Sequence, residues 1–260
     1  MLESLNNKLE FKKRNLQSWK KNSEFWLNSE LRQLTDTKEF LLQKIPPLFN
    51  KNNSNLPVVV DMGTGSGWAL DLLLELNIEA KFIGLDFNEN FITHLNQKFS
   101  HLPSAEFHCV DLEEEISKKF LNQADIVFNF FNFFETANIE NAFRNASLML
   151  KPNGKLVIMT IDSYYLMMAL AKNMDELKEV LKIYDEKRTK GEVPFFFQKI
   201  DLGNAESDIY EYASVLYSFE DYFKEAQKNG LKLYDYSEVV KTAKYIPKVY
   251  KYIVFENEQK

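Results

Sequence analysis

The chain has 260 residues, 45% of them apolar, enough for one large core or a core with a cap. Its 38 acids outnumber 32 bases for a formal charge of −6, which argues against a nucleic-acid substrate, since such partners call for a basic face. A single Cys excludes an internal disulfide and points to a reducing, cytoplasmic setting. No apolar run reaches the length of a membrane span, so no membrane partner is expected, and Met1 to Lys13 lacks the apolar segment of a signal peptide.

Residues 1–50 read as helical. Trp19, Phe25, Trp26, Leu27, Leu31 and Leu34 fall at helical spacing, and Pro46-Pro47 bends the helix that follows. Val58-Val59-Val60 then makes a buried strand that stops at Asp61-Met62. Gly63, Gly65 and Gly67 follow, although the chain holds only eight Gly, and Trp68, Leu70, Leu72 and Leu73 resume helical spacing. A glycine turn between strand and helix lets a ligand lie on bare backbone, beside unpaired helix N–H groups. A dinucleotide fingerprint requires Gly at 68, where Trp68 stands, so a nicotinamide oxidoreductase is disfavoured.

The second strand, Ala80 to Asp86, ends in an acid 19 residues past Gly67, a spacing at which a carboxylate takes the two ribose hydroxyls of an adenosine ligand. Glu106 to Val110 is a third strand, followed by Asp111-Leu112, and Asp125 to Asn129 is a fourth, running into Phe130-Phe131-Asn132-Phe133-Phe134-Glu135. A helix from Ile139 to Leu150 stops at Pro152-Asn153-Gly154, before a fifth strand from Lys155 to Thr160. Residues 162–217 break the strand–helix alternation with one or two helices and two strands. A helix capped by Ser218 and Asp221 ends at Gly230, and strands at Leu231 to Tyr236 and Val249 to Phe255 close the chain.

Asp61-x-Gly63-x-Gly65-x-Gly67 after a strand resembles the first motif of the class I S-adenosylmethionine-dependent methyltransferases. The resemblance covers about residues 56–160 by motif and 218–256 by element order. It implies an α/β fold: a seven-stranded, mostly parallel sheet with helices on both faces and a reversed last strand, plus an α+β cap insertion and an N-terminal helical segment. The domains it implies are a lid at 1–50, a cofactor-binding core at 51–161, a substrate cap at 162–217 and a completing helix and strand pair at 218–260. It implies S-adenosylmethionine as cofactor, with Asp61, Gly63, Thr64, Gly65 and Gly67 at the turn and Asp86 on the ribose. Phe87 would lie on the adenine face, Asp111 and Leu112 at the adenine edge, and Asn129 at the end of the fourth strand. Asn132 and Glu135 are the catalytic candidates, and Trp26, Phe133, Tyr164, Tyr165 and Tyr212 the acceptor-binding ones.

The sulfonium is an activated leaving group, so alignment and exclusion of water supply much of the catalysis. His94, His101 and His108 fall between the second helix and third strand, away from the methyl group, and no metal-ligand spacing occurs. An acceptor that needs no base is therefore expected: a carboxylate or other oxygen of a small organic molecule or short peptide. Asn129-Phe130-Phe131-Asn132 lacks the Pro-Pro of methyltransferases acting on nucleic-acid bases or glutamine. A small amine, a protein or RNA acceptor and a catalytically silent S-adenosylmethionine-binding module stand as alternatives. The oligomeric state is open, a homodimer included.

Overall fold

The computed structural model describes residues 2–5, 7–28, 32–49, 56–201, 209–242 and 247–258. The chain begins with a short strand, β1 (Leu2–Leu5), then helices α1 (Lys8–Lys21), α2 (Ser23–Asn28) and α3 (Arg32–Lys44). Asn7 caps α1 by accepting from the backbone N–H of Leu9 and Glu10. The core follows as β2 (Val58–Met62), α4 (Trp68–Glu75), β3 (Lys81–Asp86), α5 (Glu89–Lys98), β4 (Ala105–Cys109), β5 (Ala124–Phe130), α6 (Ile139–Met149) and β6 (Leu150–Ile161). The insertion expected to form a cap, made of α7 (Ser163–Leu170), α8 (Met174–Thr189), β7 (Phe195–Asp201) and β8 (Ile209–Val215), comes next. Helix α9 (Phe219–Lys228) and strands β9 (Leu231–Lys241) and β10 (Lys248–Asn257) complete the chain.

The main sheet has seven strands in the order β4-β3-β2-β5-β6-β10-β9. The first five are parallel, and β10 runs antiparallel to both neighbours, so the reversed last strand is present. Period-2 alternation sends Val60, Ile83, Val127 and Leu156 into the core on one face and Val59, Phe82, Ile126 and Val157 into the core on the other. Burial on both faces is why these strands read as continuous apolar runs. Parallel strands place their carboxyl ends along one edge, where Met62, Asp86 and Phe130 end their strands.

Two local expectations are corrected. Residues 1–50 are not helical throughout: Leu2–Leu5 pairs antiparallel with β7, giving a second sheet of order β1-β7-β8. Four residues are too few to show a period, and the strand exists because β7 offers it an edge. Second, the fifth core strand starts at Leu150, not Lys155, with Asn153 at φ 63 carrying the bend that Pro152 and Gly154 suggested. Leu31, Asn50, Lys51 and the linker up to Asn55 lie outside the described residues.

The N-terminal segment is joined to the cap. Phe11 of α1 is fully buried between the rings of Phe195 and Phe197, 4.9 and 5.0 Å away, and the Arg14 guanidinium lies over Phe197 at 4.3 Å. Tyr217, just after β8, donates its hydroxyl to the backbone carbonyls of Thr136 and Ala137 at 2.9 and 3.2 Å. That bond ties the cap to the segment carrying Glu135. Tyr217→Phe leaves those buried carbonyls short of a donor and is expected to lower stability by about 1–2 kcal/mol in a denaturant titration. An unchanged midpoint would show that the bond is idle.

Candidate active site

The glycine turn is held down by the neighbouring strand. The backbone N–H groups of Gly63 and Thr64 both donate to the Leu85 carbonyl, at 2.8 and 3.0 Å, and Gly67 N–H donates to Thr64 O at 2.8 Å. Gly63, Gly65 and Gly67 take φ of +80, +50 and +82, the left-handed region that only Gly enters without strain. Each serves a different space. A Cβ on Gly63 would come within 2.7 Å of the Asn132 side chain, and one on Gly67 within 2.6 Å of Leu95, whereas a Cβ on Gly65 would meet nothing closer than 4.0 Å. Gly65 therefore faces the open cleft, and Gly67 packs α4 against α5.

Asp86, at the end of β3, is 5% exposed and fastens the turn: its Oδ2 accepts from Gly65 N–H at 3.0 Å and its Oδ1 from Asn88 N–H at 2.9 Å. Each carboxylate oxygen keeps a further lone pair for a ligand hydroxyl. Asp61 is 3% exposed at the start of the turn. Both line one cleft with Gly63, Thr64 and Gly65. Phe87, Asp111, Leu112, Asn132, Glu135 and Trp26 also line it, so these expected positions come together in space.

Six expected positions do not reach the cleft wall. Asn129 is fully buried: its amide donates to Met62 O and Asn132 Oδ1, and its Oδ1 accepts from Phe133 N–H at 3.1 Å. It braces the loop instead of facing a ligand. Gly67 packs on Leu95 and Phe99. Phe133 is fully buried against Phe143 and Tyr222, because the tight turn at residues 133–135 sends it into the core while Glu135 points at the cleft. Tyr164 is 64% exposed on α7. Of the other acceptor candidates, Tyr165 packs against the second core face, and the Tyr212 ring lies 6.2 Å from Phe134; neither is among the described residues lining the cleft.

Two further acids of the core, Asp125 and Asp162, are committed elsewhere. Asp125 sits at the opposite edge of the sheet, accepting from Val58 N–H and pairing with Lys151. Asp162 caps α7 and pairs with Lys251 at 2.6 Å.

The sequence reading missed most of the roof. Lys12, Asn15, Leu16 and Trp19 lie on one face of α1 and all line the cleft. Trp19 Nε1–H donates to Glu135 Oε2 at 2.5 Å, and Asn15 Nδ2 donates to the Glu135 carbonyl at 3.0 Å. Lys12 Nζ pairs with Asp111 at 2.9 Å and Glu114 at 2.7 Å. Asn88 Nδ2 donates to Trp19 O, and Asn90 Nδ2 to Ser23 Oγ. One helix is thus fastened to the ends of β3, β4 and β5. The i, i+3, i+4, i+7 spacing of 12, 15, 16 and 19 was visible, but the face mixes charge, amide and ring, so no apolar stripe marked it.

Covering the cleft strips water from its acids. Burial pushes the Asp61 carboxyl up to about 7, against the Thr64 hydroxyl, with the Asp86 charge adding to the rise. Burial pushes Asp86 up to about 6, opposed by the N–H groups of Asn88, Gly65 and Phe87. Burial pushes Glu135 up to about 8, opposed by Trp19 and helped by the Asp86 charge. Carboxyls in the unfolded chain titrate near pH ~4, so from about pH 4 to 8 the folded, ligand-free protein holds more protons and its stability falls as pH rises. The contribution is whole below about pH 4 and spent above about pH 8. Tm should fall across that window, and Glu135→Gln should flatten the upper part of the fall; a wild-type Tm independent of pH would contradict the burial argument.

Residues 60–156 match a family model described as a methyltransferase domain. The chain is 27% identical over 127 residues to a malonyl-[acyl-carrier protein] O-methyltransferase of Marinomonas sp. (strain MWYL1), covering 48% of this chain and 45% of that protein. It is 24% identical over 105 residues to the clavatol synthase of Penicillium crustosum, covering 39% of this chain and 4% of that one. The chain therefore spans less than half the length of either curated relative. Among solved structures, it superposes on a putative S-adenosylmethionine-dependent methyltransferase from Listeria monocytogenes with a TM-score of 0.62 at 15% identity, covering 86% of this chain and all of that one. A geranyl diphosphate methyltransferase in complex with its cofactor gives a TM-score of 0.56 at 13% identity, covering 89% and 88%. Turn, acids, sheet order and family match agree: residues 60–156 form a class I S-adenosylmethionine-dependent methyltransferase domain, and S-adenosylmethionine is its cofactor.

Proposed function

We propose that the protein transfers a methyl group from S-adenosylmethionine to an oxygen of a small organic molecule held beneath α1. The observation that carries this reading is the placement of the bare Gly65 backbone, Asp61, Asp86 and the Asn132–Glu135 segment around one cleft roofed by a single helix. Bound there, the cofactor supplies an activated methyl group on a sulfonium. The chain supplies the rest. Gly65 leaves room for the ligand to touch backbone, Asp86 offers its remaining lone pairs to the ribose hydroxyls, and Asp61 offers negative charge to the cofactor's ammonium and sulfonium. Phe87 offers a flat apolar face, and Asp111, already paired with Lys12, borders the same side.

The acceptor side is formed by α1 and residues 130–136. Phe131 sits at φ 59 and lines the cleft, its strained backbone fixed by a 2.7 Å bond from its N–H to the Met159 carbonyl. Trp19, Trp26 and Phe130 add apolar walls that exclude water, so alignment of donor and acceptor is the main catalytic device. A roofed cleft of this kind suits a small acceptor better than a polymer. Oxygen as the methylated atom is supported by the printed function of the Marinomonas relative.

Titration calorimetry with S-adenosylhomocysteine tests the cofactor half. Binding should tighten as pH rises from about 5.5 to 8, because the ligand's ammonium and ribose hydroxyls select Asp61 and Asp86 as carboxylates and each must first lose its proton. Asp86→Asn should weaken binding by about tenfold or more while the protein stays folded. Full affinity in Asp86→Asn, or binding that weakens as pH rises, would remove Asp86 from the site.

A further inference from the structure

Asn15 carries an unspent hydrogen-bond acceptor at the acceptor end of the cleft. Its side chain is 8% exposed and lines the cleft wall. The orientation of its amide is fixed, since the nitrogen donates to the Glu135 carbonyl at 3.0 Å. The oxygen, Oδ1, is buried and has no hydrogen-bond partner. A buried acceptor left unpaired costs free energy, and a ligand that brings a hydrogen recovers it.

The groups beside it narrow the ligand. One turn along α1, Trp19 engages Glu135 Oε2 and leaves Oε1 for a ligand. Five acids line the cleft, namely Asp61, Asp86, Asp111, Glu113 and Glu135. Among the described residues that line it, Lys12 is the only base, and Asp111 and Glu114 already neutralise it. An entering anion would meet like charge from the two strand ends and find no uncommitted cation. It would also bring only acceptors, and Asn15 Oδ1 needs a donor.

The geometry points to a neutral hydroxyl-bearing molecule, a phenol or enol on an apolar ring, as the acceptor, read by Asn15 Oδ1 and the free oxygen of Glu135. This rests on the methyltransferase reading above and sharpens it, replacing a carboxylate acceptor with a hydroxyl. A hydroxyl both donates and accepts. In the bound complex it gives its hydrogen to Asn15 Oδ1 beside the Glu135 carboxyl. On methylation that proton passes to the ionised fraction of Glu135, whose carboxyl burial raises to about 8, as the oxygen takes the methyl group and the electrons of the broken C–S bond stay on sulfur. The ring sits among Trp19, Trp26, Phe130 and Phe131, aromatic faces that hold a flat apolar body.

The test is titration calorimetry on the full chain saturated with S-adenosylhomocysteine, at neutral pH. The probes are a naphthol, its methyl ether and the matching naphthoate. The naphthol should bind at least about tenfold more tightly than either of the others. In Asn15→Leu, again saturated with S-adenosylhomocysteine, the naphthol should fall to within about threefold of its ether. Asn15→Asp, which keeps an acceptor oxygen, should retain a preference for naphthol over ether. The wild-type ratios decide the matter even if a variant fails to fold. Naphthoate binding as tightly as naphthol, ether matching naphthol, or no probe binding to the cofactor-loaded protein would each overturn the assignment. Failure of S-adenosylhomocysteine itself to bind would instead sink the methyltransferase reading on which it stands.

Discussion

The site depends on acids being held out of water by one helix. Asp61 and Asp86 are fixed by the sheet at the ends of adjacent strands, and Glu135 by the turn that follows a third. Lys12, Asn15, Leu16 and Trp19 of α1 line the same cleft as these three acids. Asn15 and Trp19 fasten that helix to Glu135, and Lys12 fastens it to Asp111. The consequence is electrostatic. Desolvation raises all three acids toward neutrality, so the empty cleft stores a cost that a cationic, hydrogen-bonding cofactor relieves. Stability is traded for affinity at the same groups.

A second constraint is the bracing of residues 129–136. Asn129 ties the end of β5 to Met62 and to the Phe133 N–H. Thr136 Oγ1 reaches back to Asn132, and Tyr217 holds the Thr136 and Ala137 carbonyls. Phe133 anchors the turn in the core, where it stacks on Tyr222. These contacts orient Asn132 and Glu135 without touching a ligand. Packing of the cap against α1, through Phe11, Phe195 and Phe197, sets the height of the roof. Core and N-terminal segment therefore meet at one cleft, and no described residue of 162–217 lines it.

Much of this was legible in the chain. Val58-Val59-Val60 announces a strand buried on both faces, and the alternate glycines announce a backbone that must turn left-handed, because each signal has one physical cause. The acids Asp61, Asp86 and Asp111 could be placed because a parallel sheet lines up its strand ends. Side-chain direction beyond those ends was not legible. Asn129 and Phe133 sit in a run of aromatic residues whose facing is set by a tight turn and by Phe131 at positive φ, which no period reveals. Gly67 was read with the cofactor turn, but its missing Cβ serves helix packing. Strand β1 and the polar face of α1 were missed for one reason: both are defined by partners distant in sequence, and the face toward a ligand carries no apolar stripe.

The most direct measurement is a crystal structure of the protein grown with S-adenosylhomocysteine. The account requires the ribose hydroxyls within about 3 Å of the Asp86 carboxylate, the ligand in contact with the Gly65 backbone, and α1 closed above with Trp19 still on Glu135. A ligand lodged outside the cleft, or seated there with Asp86 turned to solvent, would contradict it.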